Sequence, residues 1–244
     1  LEVGAVIDYR YKVRFGTIFY LEPWEFQERI PVRLSEITYR IPREISATAW
    51  QRNALQLPLQ NSQNQTGIAT ELKGWGENLP PLLDEPLSLP DGDLGARFMV
   101  VPTKYAGVEP LLESWKTTCE LVETGNYNDA RRDDTASRRR GKEIADRAGK
   151  APEERGKGVY RFVRDEMETV PMAGVLVGEK IASDKVLSDR RGDFADKGML
   201  LWTMLDAAGL RAKMVWAASR NDGQIDLSVP SFSWFDRVLV RVQL

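Results

Sequence analysis

Acyl-transfer chemistry in proteins most often starts from cysteine and histidine, and this chain of 244 residues has one cysteine, Cys119, and no histidine. A single cysteine excludes an internal disulfide and any multi-cysteine metal site. Without histidine the chain lacks the commonest general base and the commonest metal ligand. A metal would have to be held by carboxylates alone, which suit harder cations, and no cofactor is expected. A Cys–His catalytic pair is excluded by composition. Cys119 falls with Leu111, Leu112, Trp115, Thr118 and Val122 on one face of a helical period, which predicts an inert thiol in a buried stripe.

The remaining candidates are carboxylates: Asp193, Asp196, Asp226 and Asp236. Two carboxyl groups hydrolyse glycosidic bonds when held at the right gap, but no spacing here singles out a pair. Asp193 reads first as a helix N-cap, with Asp196 three residues on. Asp236 reads as a strand residue facing solvent, and Trp234 and Phe235 either line a groove or pack. The run Arg138-Arg139-Arg140 lies in a stretch, 129–157, holding 10 basic and 7 acidic side chains. Its field is largely cancelled, so a solvated helix is expected rather than a nucleic-acid site.

The whole chain carries 34 basic and 36 acidic residues, a net charge of −2. That gives no electrostatic reason to expect nucleic acid or an anionic membrane as partner. No apolar run approaches the roughly 18 residues needed to span a bilayer. The chain opens Leu1-Glu2-Val3 without methionine, so its start reads as processed or trimmed, and the lack of a leader says nothing for the cytoplasm.

The elements that must position these residues fall into two regimes. Up to about residue 104 the pattern is that of strands. Ala5 to Phe15 alternates apolar and polar residues strictly, and Ile30–Ile41, Leu55–Leu59, Ile68–Lys73 and Ala96–Val101 are further candidates. The segment GWGENLPPLLDEPLSLPDGD reads as a loop broken by glycine and proline. From about residue 105 the period becomes helical. One helix begins at Ala151-Pro152-Glu153-Glu154, with Val159, Phe162, Val163, Met167 and Val170 as its apolar stripe and Pro171 as its end. The next, from Asp193 to Gly209, is apolar on nearly every side and must be buried in the middle of its domain. Strands Ala212–Ala218 and Arg237–Val242 follow. The expected fold class is α+β: an antiparallel β-rich domain over 1–104, sandwich or curved sheet, and a second domain mixing helices and sheet over 105–244.

The order VYRFVRDEMETVP, RRGDFADKGMLLWTMLDAAGLRAKMVW, SFSWFDRVLVRV resembles the bacterial transglutaminase-like (papain-type) superfamily. The segments VGAVIDYRYKV, FYLEPWEFQERIPVRLSEITYRIP and ENLPPLLDEP resemble the uncharacterised β-rich domain that often precedes it in exported bacterial proteins. The resemblance implies a cysteine nucleophile at the start of the central helix, where the helix dipole and unpaired N–H groups favour a thiolate and an oxyanion. It implies a histidine on the next strand and an aspartate on the strand after that. Here the cysteine position is Phe194, the histidine position is Arg237, and the chain stops at Leu244 before the third strand. Thr169 departs from the aromatic usual near the end of the preceding helix.

Phenylalanine offers no nucleophile, and arginine stays protonated and cannot act as a base. The resemblance therefore implies a pseudoenzyme whose former cleft, lined by Asp193, Asp196, Trp234 and Asp236, binds a peptide, glycan or protein partner. An arginine there favours anionic ligands. The alternative is an enzyme with replaced, carboxylate-based chemistry in that cleft. The implied location is periplasmic or extracellular.

Overall fold

The structure is a computed structural model and describes residues 2, 4–53, 57–83, 85–107, 109–130, 133–171, 181–220 and 223–244, with backbone alone for 122 and 125–130. The expected strand position Leu55 and the side chain of Val122 lie outside the described residues. The elements in chain order are β1 (Trp24–Glu25), β2 (Val32–Pro42), β3 (Ile45–Arg52), β4 (Leu59–Gln65), β5 (Ala69–Leu79), the single turn α1 (Asp91–Leu94), β6 (Arg97–Tyr105) and β7 (Glu109–Pro110). They continue with α2 (Trp115–Ala130), α3 (Thr135–Ala148), α4 (Pro152–Glu166), β8 (Glu168–Thr169), α5 (Ser183–Asp189), β9 (Arg191–Gly192), α6 (Phe194–Ala207), β10 (Arg211–Ala217) and β11 (Arg237–Gln243).

Two antiparallel sheets, β1-β6-β3 with β7 against β6, and β2-β5-β4, face each other. Their inner residues Phe26, Tyr39, Ile41, Ile45, Leu72, Leu79, Phe98 and Val100 form one core. The indole Nε1 of Trp24 donates to Ser35 Oγ at 3.0 Å and ties β1 to β2. The helices follow in sequence, and the class is α+β, as the two periodicities predict.

Four expectations are corrected. Ala5–Phe15 forms no strand: Val6, Ile7, Tyr9, Tyr11 and Val13 are all exposed. Alternation assigns faces only where a neighbouring strand and a core accept them, and the segment has neither among the described residues. The glycine-rich stretch after Lys73 is strand rather than loop, because β5 runs on to Leu79. Gly74 lets the facing layer close in, since a Cβ there would stand 3.0 Å from the Phe98 ring, and Gly76 makes room for its partner on the neighbouring strand β4, a Cβ there standing 2.4 Å from Leu59 Cδ2.

The third correction is to α4, which ends at Glu166 rather than at Pro171. Met167 is already extended, and Thr169 pairs in parallel with Gly192. The fourth concerns Cys119, which is exposed. Leu111 and Leu112 precede α2 and bond back to Thr103 and Pro102, so they do not share its period. The side of α2 that packs carries Trp115, Thr118 and Leu121, and Cys119 sits about 100° around the helix from Thr118.

The second core is organised by α6. Leu200, Met204, Leu205 and Ala208 pack with Ala145 of α3, Val159 and Val163 of α4, Met167, Val186 of α5 and Leu210. The β10–β11 ribbon, paired from Arg211↔Gln243 to Ala217↔Arg237, covers the other side. A third cluster, Met99, Val101, Leu112, Val229, Phe232 and Trp234, joins β6 to the segment between β10 and β11. Beside it Arg52 Nη2 meets Asp93 Oδ1 at 2.9 Å, both side chains largely buried.

Candidate functional site

The first turn of α6 is built by reciprocal capping. Asp193 Oδ1 accepts the N–H groups of Ala195 and Asp196, each at 2.8 Å. Asp196 Oδ2 accepts the N–H of Asp193 at 3.3 Å, and its Oδ1 that of Ile181 at 3.3 Å. Such caps are worth about 0.5–2 kcal/mol each. Gly192, just before the cap, has room for no side chain: a Cβ there would lie 2.9 Å from that of Asp196. Asp196 is 5% exposed. The two carboxylates are thus committed to starting the helix, and they start it with Phe194 as its first residue.

Phe194 packs with Ala195, Val238, Met214 and Trp216. Gly198, one turn further, sets the approach of the helix to β11, since a Cβ there would be 3.1 Å from Val238 Cγ1. This brings Arg237, the first residue of β11, to α6: its Cζ lies 5.6 Å from the centroid of the Phe194 ring. At 57% side-chain exposure, with Asp236 Oδ2 at 3.5 Å, the cation–π contact belongs at the lower end of its range, about 0.5–1 kcal/mol.

The other expected site residues take structural positions. Asp236 Oδ1 accepts the N–H of Ser219 at 2.6 Å, and its own N–H bonds to Ala217. Trp234 is 6% exposed and donates from Nε1 to Val229 O at 2.8 Å, with the Arg52 guanidinium 5.2 Å above its ring. Phe235 packs edge-on to Trp115 at 6.0 Å. Asp226 lies in the connection to β11 and accepts from the hydroxyl and N–H of Ser228, which hold its carboxyl below the usual range.

Lys197 belongs to the same corner, and sequence reasoning passed over it. Its Nζ donates to Met167 O and to Thr169 Oγ1, both at 2.7 Å, and burial pushes its pKa down. It pins the end of α4 and strand β8 to α6, and it explains why Thr169 carries a hydroxyl. The available signal was a lone lysine in an otherwise apolar helix. The Arg52–Asp93 pair, 41 residues apart, gave no such sign. No group of three or more His, Cys, Asp or Glu able to hold a metal ion occurs among the described residues.

No helix of the described residues is long and apolar enough to cross a membrane. No protein-family model matches the chain, and no curated protein matches it. The fold is similar to that of a solved structure, a "putative protease" from Parabacteroides distasonis, with a TM-score of 0.73 at 16% identity over 92% of this chain. The match covers 41% of that protein, so the chain spans less than half of its length. At this identity the likeness establishes a shared α+β fold.

Proposed function

We propose that the chain is a degenerate transglutaminase-like protein whose former catalytic corner serves recognition of a peptide, glycan or protein partner rather than acyl transfer. The observation that carries this reading is the 5.6 Å contact of Arg237 with Phe194 at the first turn of α6. A thiolate and an imidazole would need to stand there within hydrogen-bond reach. A ring and a guanidinium fill that place and offer neither nucleophile nor base. The composition agrees, since a chain without histidine supplies no substitute from elsewhere. The carboxylate alternative is weakened because Asp193, Asp196 and Asp236 each accept backbone N–H groups that need them.

The test is an acyl-donor assay on the purified chain, with glutamine-containing peptides and a primary amine, followed by mass spectrometry. Neither hydrolysis nor amine incorporation above a protein-free blank is expected. Turnover that tracks the protein and disappears in Arg237→Ala would overturn the proposal.

A further inference from the structure

The β10–β11 ribbon has two faces. Ala212, Met214, Trp216, Val238, Val240 and Val242 turn toward α6 and the cores. The outer face carries Arg211, Lys213, Val215 and Ala217 on β10, and Arg237, Leu239, Arg241 and Gln243 on β11. Of these all but Ala217 are exposed. The register sets Lys213 opposite Arg241 and Val215 opposite Leu239. Like charges directly opposite one another destabilise a sheet, yet here the cations face each other without a carboxylate between them. Arg211, Lys213 and Arg241 make no ion pair with any described residue. A chain of net charge −2 thus carries a basic patch on this face, Arg211 and the Lys213–Arg241 row, beside the apolar Val215–Leu239 pair, while Arg237 beyond that pair is engaged by Phe194 and Asp236.

We propose that this outer face is a docking surface for an acidic, extended peptide segment. It lies on the opposite side of the ribbon from the packing of Phe194, so the assignment stands apart from the loss of catalysis. Charge complementarity selects the occupant: the cations Arg211, Lys213 and Arg241 gather on one side of the Val215–Leu239 pair. Successive rows of the ribbon are two residues apart, about 6.8 Å. Alternate side chains of an extended peptide repeat at the same distance. A segment with acids at positions 1 and 3 and an aliphatic residue at 5 therefore meets Arg211, the Lys213–Arg241 row and the Val215–Leu239 row in turn. Nucleic acid fits less well, because the face offers no aromatic ring for a base to stack on and its centre is apolar.

The experiment is fluorescence anisotropy with the whole chain and a labelled peptide carrying glutamate at positions 1 and 3 and leucine at 5. A lysine-for-glutamate peptide and a single-stranded oligonucleotide of equal charge serve as comparisons. The expected result is saturable binding of the acidic peptide alone, abolished by high salt. Binding should weaken roughly tenfold in the combined variant Arg211→Gln, Lys213→Gln, Arg241→Gln and severalfold in Leu239→Ser. All four side chains are exposed, and urea midpoints no lower than the parent's confirm that the variants fold. No binding of the acidic peptide, equal binding by the charge variant, or tighter binding of the oligonucleotide would each overturn the proposal. None of these outcomes bears on turnover, which the acyl-donor assay reads separately.

Discussion

Gly141 lies on α3 where that helix crosses α6, and its replacement by alanine measures how tightly the central helix is held. A Cβ at Gly141 would stand 2.6 Å from Met204 Cα, 2.7 Å from Met204 Cβ and 2.7 Å from Met204 O. Two of those atoms are backbone, so no rotamer change relieves the clash, and the helices must part by most of an ångström. Overpacking of this kind costs about 1–3 kcal/mol and sometimes more. Against it, glycine to alanine in a helix interior gains about 1 kcal/mol. With a backbone obstacle the cost sits at the upper end, leaving Gly141→Ala less stable by about 1–2 kcal/mol.

Gly156 on α4 is the matched control. A Cβ there meets only Leu210 Cδ1, at 3.5 Å, an ordinary contact. The propensity gain stands alone, and Gly156→Ala should be more stable by about 0.5–1 kcal/mol. Urea unfolding followed by circular dichroism separates the two, with midpoints moving in opposite directions at constant slope. Equal shifts, or a Gly141→Ala variant at least as stable as the parent, would refute the α3–α6 contact and with it the placement of the α6 first turn.

Removing the cap with Asp193→Ala should destabilise the chain by about 1–2 kcal/mol in the same urea assay, whereas Asp193→Asn, which keeps an acceptor, should cost less. Asp184 accepts the N–H groups of Ala136 and Ser137 at 2.9 and 2.7 Å. Burial opposes its ionisation, but those bonds and the Ser137 side chain leave its pKa lowered. A depressed carboxyl stabilises the fold above its unfolded pKa of about 3.9 and loses that contribution as pH falls through the folded value. The stability gap between the parent and Asp184→Ala should therefore be full at pH 7 and shrink below about pH 4; a gap independent of pH would contradict the capping role. Cys119 is exposed, so iodoacetamide should modify it in the native protein nearly as fast as in urea, and strong native protection would contradict its place on α2.

Much of the helical half was legible because the period of α6 and its Asp193 cap are local properties, as is the strand alternation of β10 and β11. The corrections arose where partners decide. Ala5–Phe15 has the alternation of a strand but nothing to pair with among the described residues, and alternation alone forms no ladder. Gly74 and Gly76 look like strand breakers until Phe98 and Leu59 come down on them from other strands. β3, with its small Ala47 and Ala49, and α5, only seven residues long, carry weak patterns that tertiary packing completes. At the site, Phe194 and Arg237 were foreseeable as neighbours, whereas the engagement of Asp236 by Ser219 and the clip from Lys197 to Thr169 depend on loop paths that no spacing encodes.

The central claim, that the α6 first turn is chemically silent, is tested most directly by covalent mapping. The native chain is incubated with a peptidyl electrophile that traps nucleophiles in acyl-transfer sites, then digested and sequenced by mass spectrometry. A single adduct on Cys119 is the predicted result, unchanged in Phe194→Ala and Arg237→Ala. An adduct anywhere in residues 193–198 or 236–238, lost when Arg237 is replaced, would contradict the account.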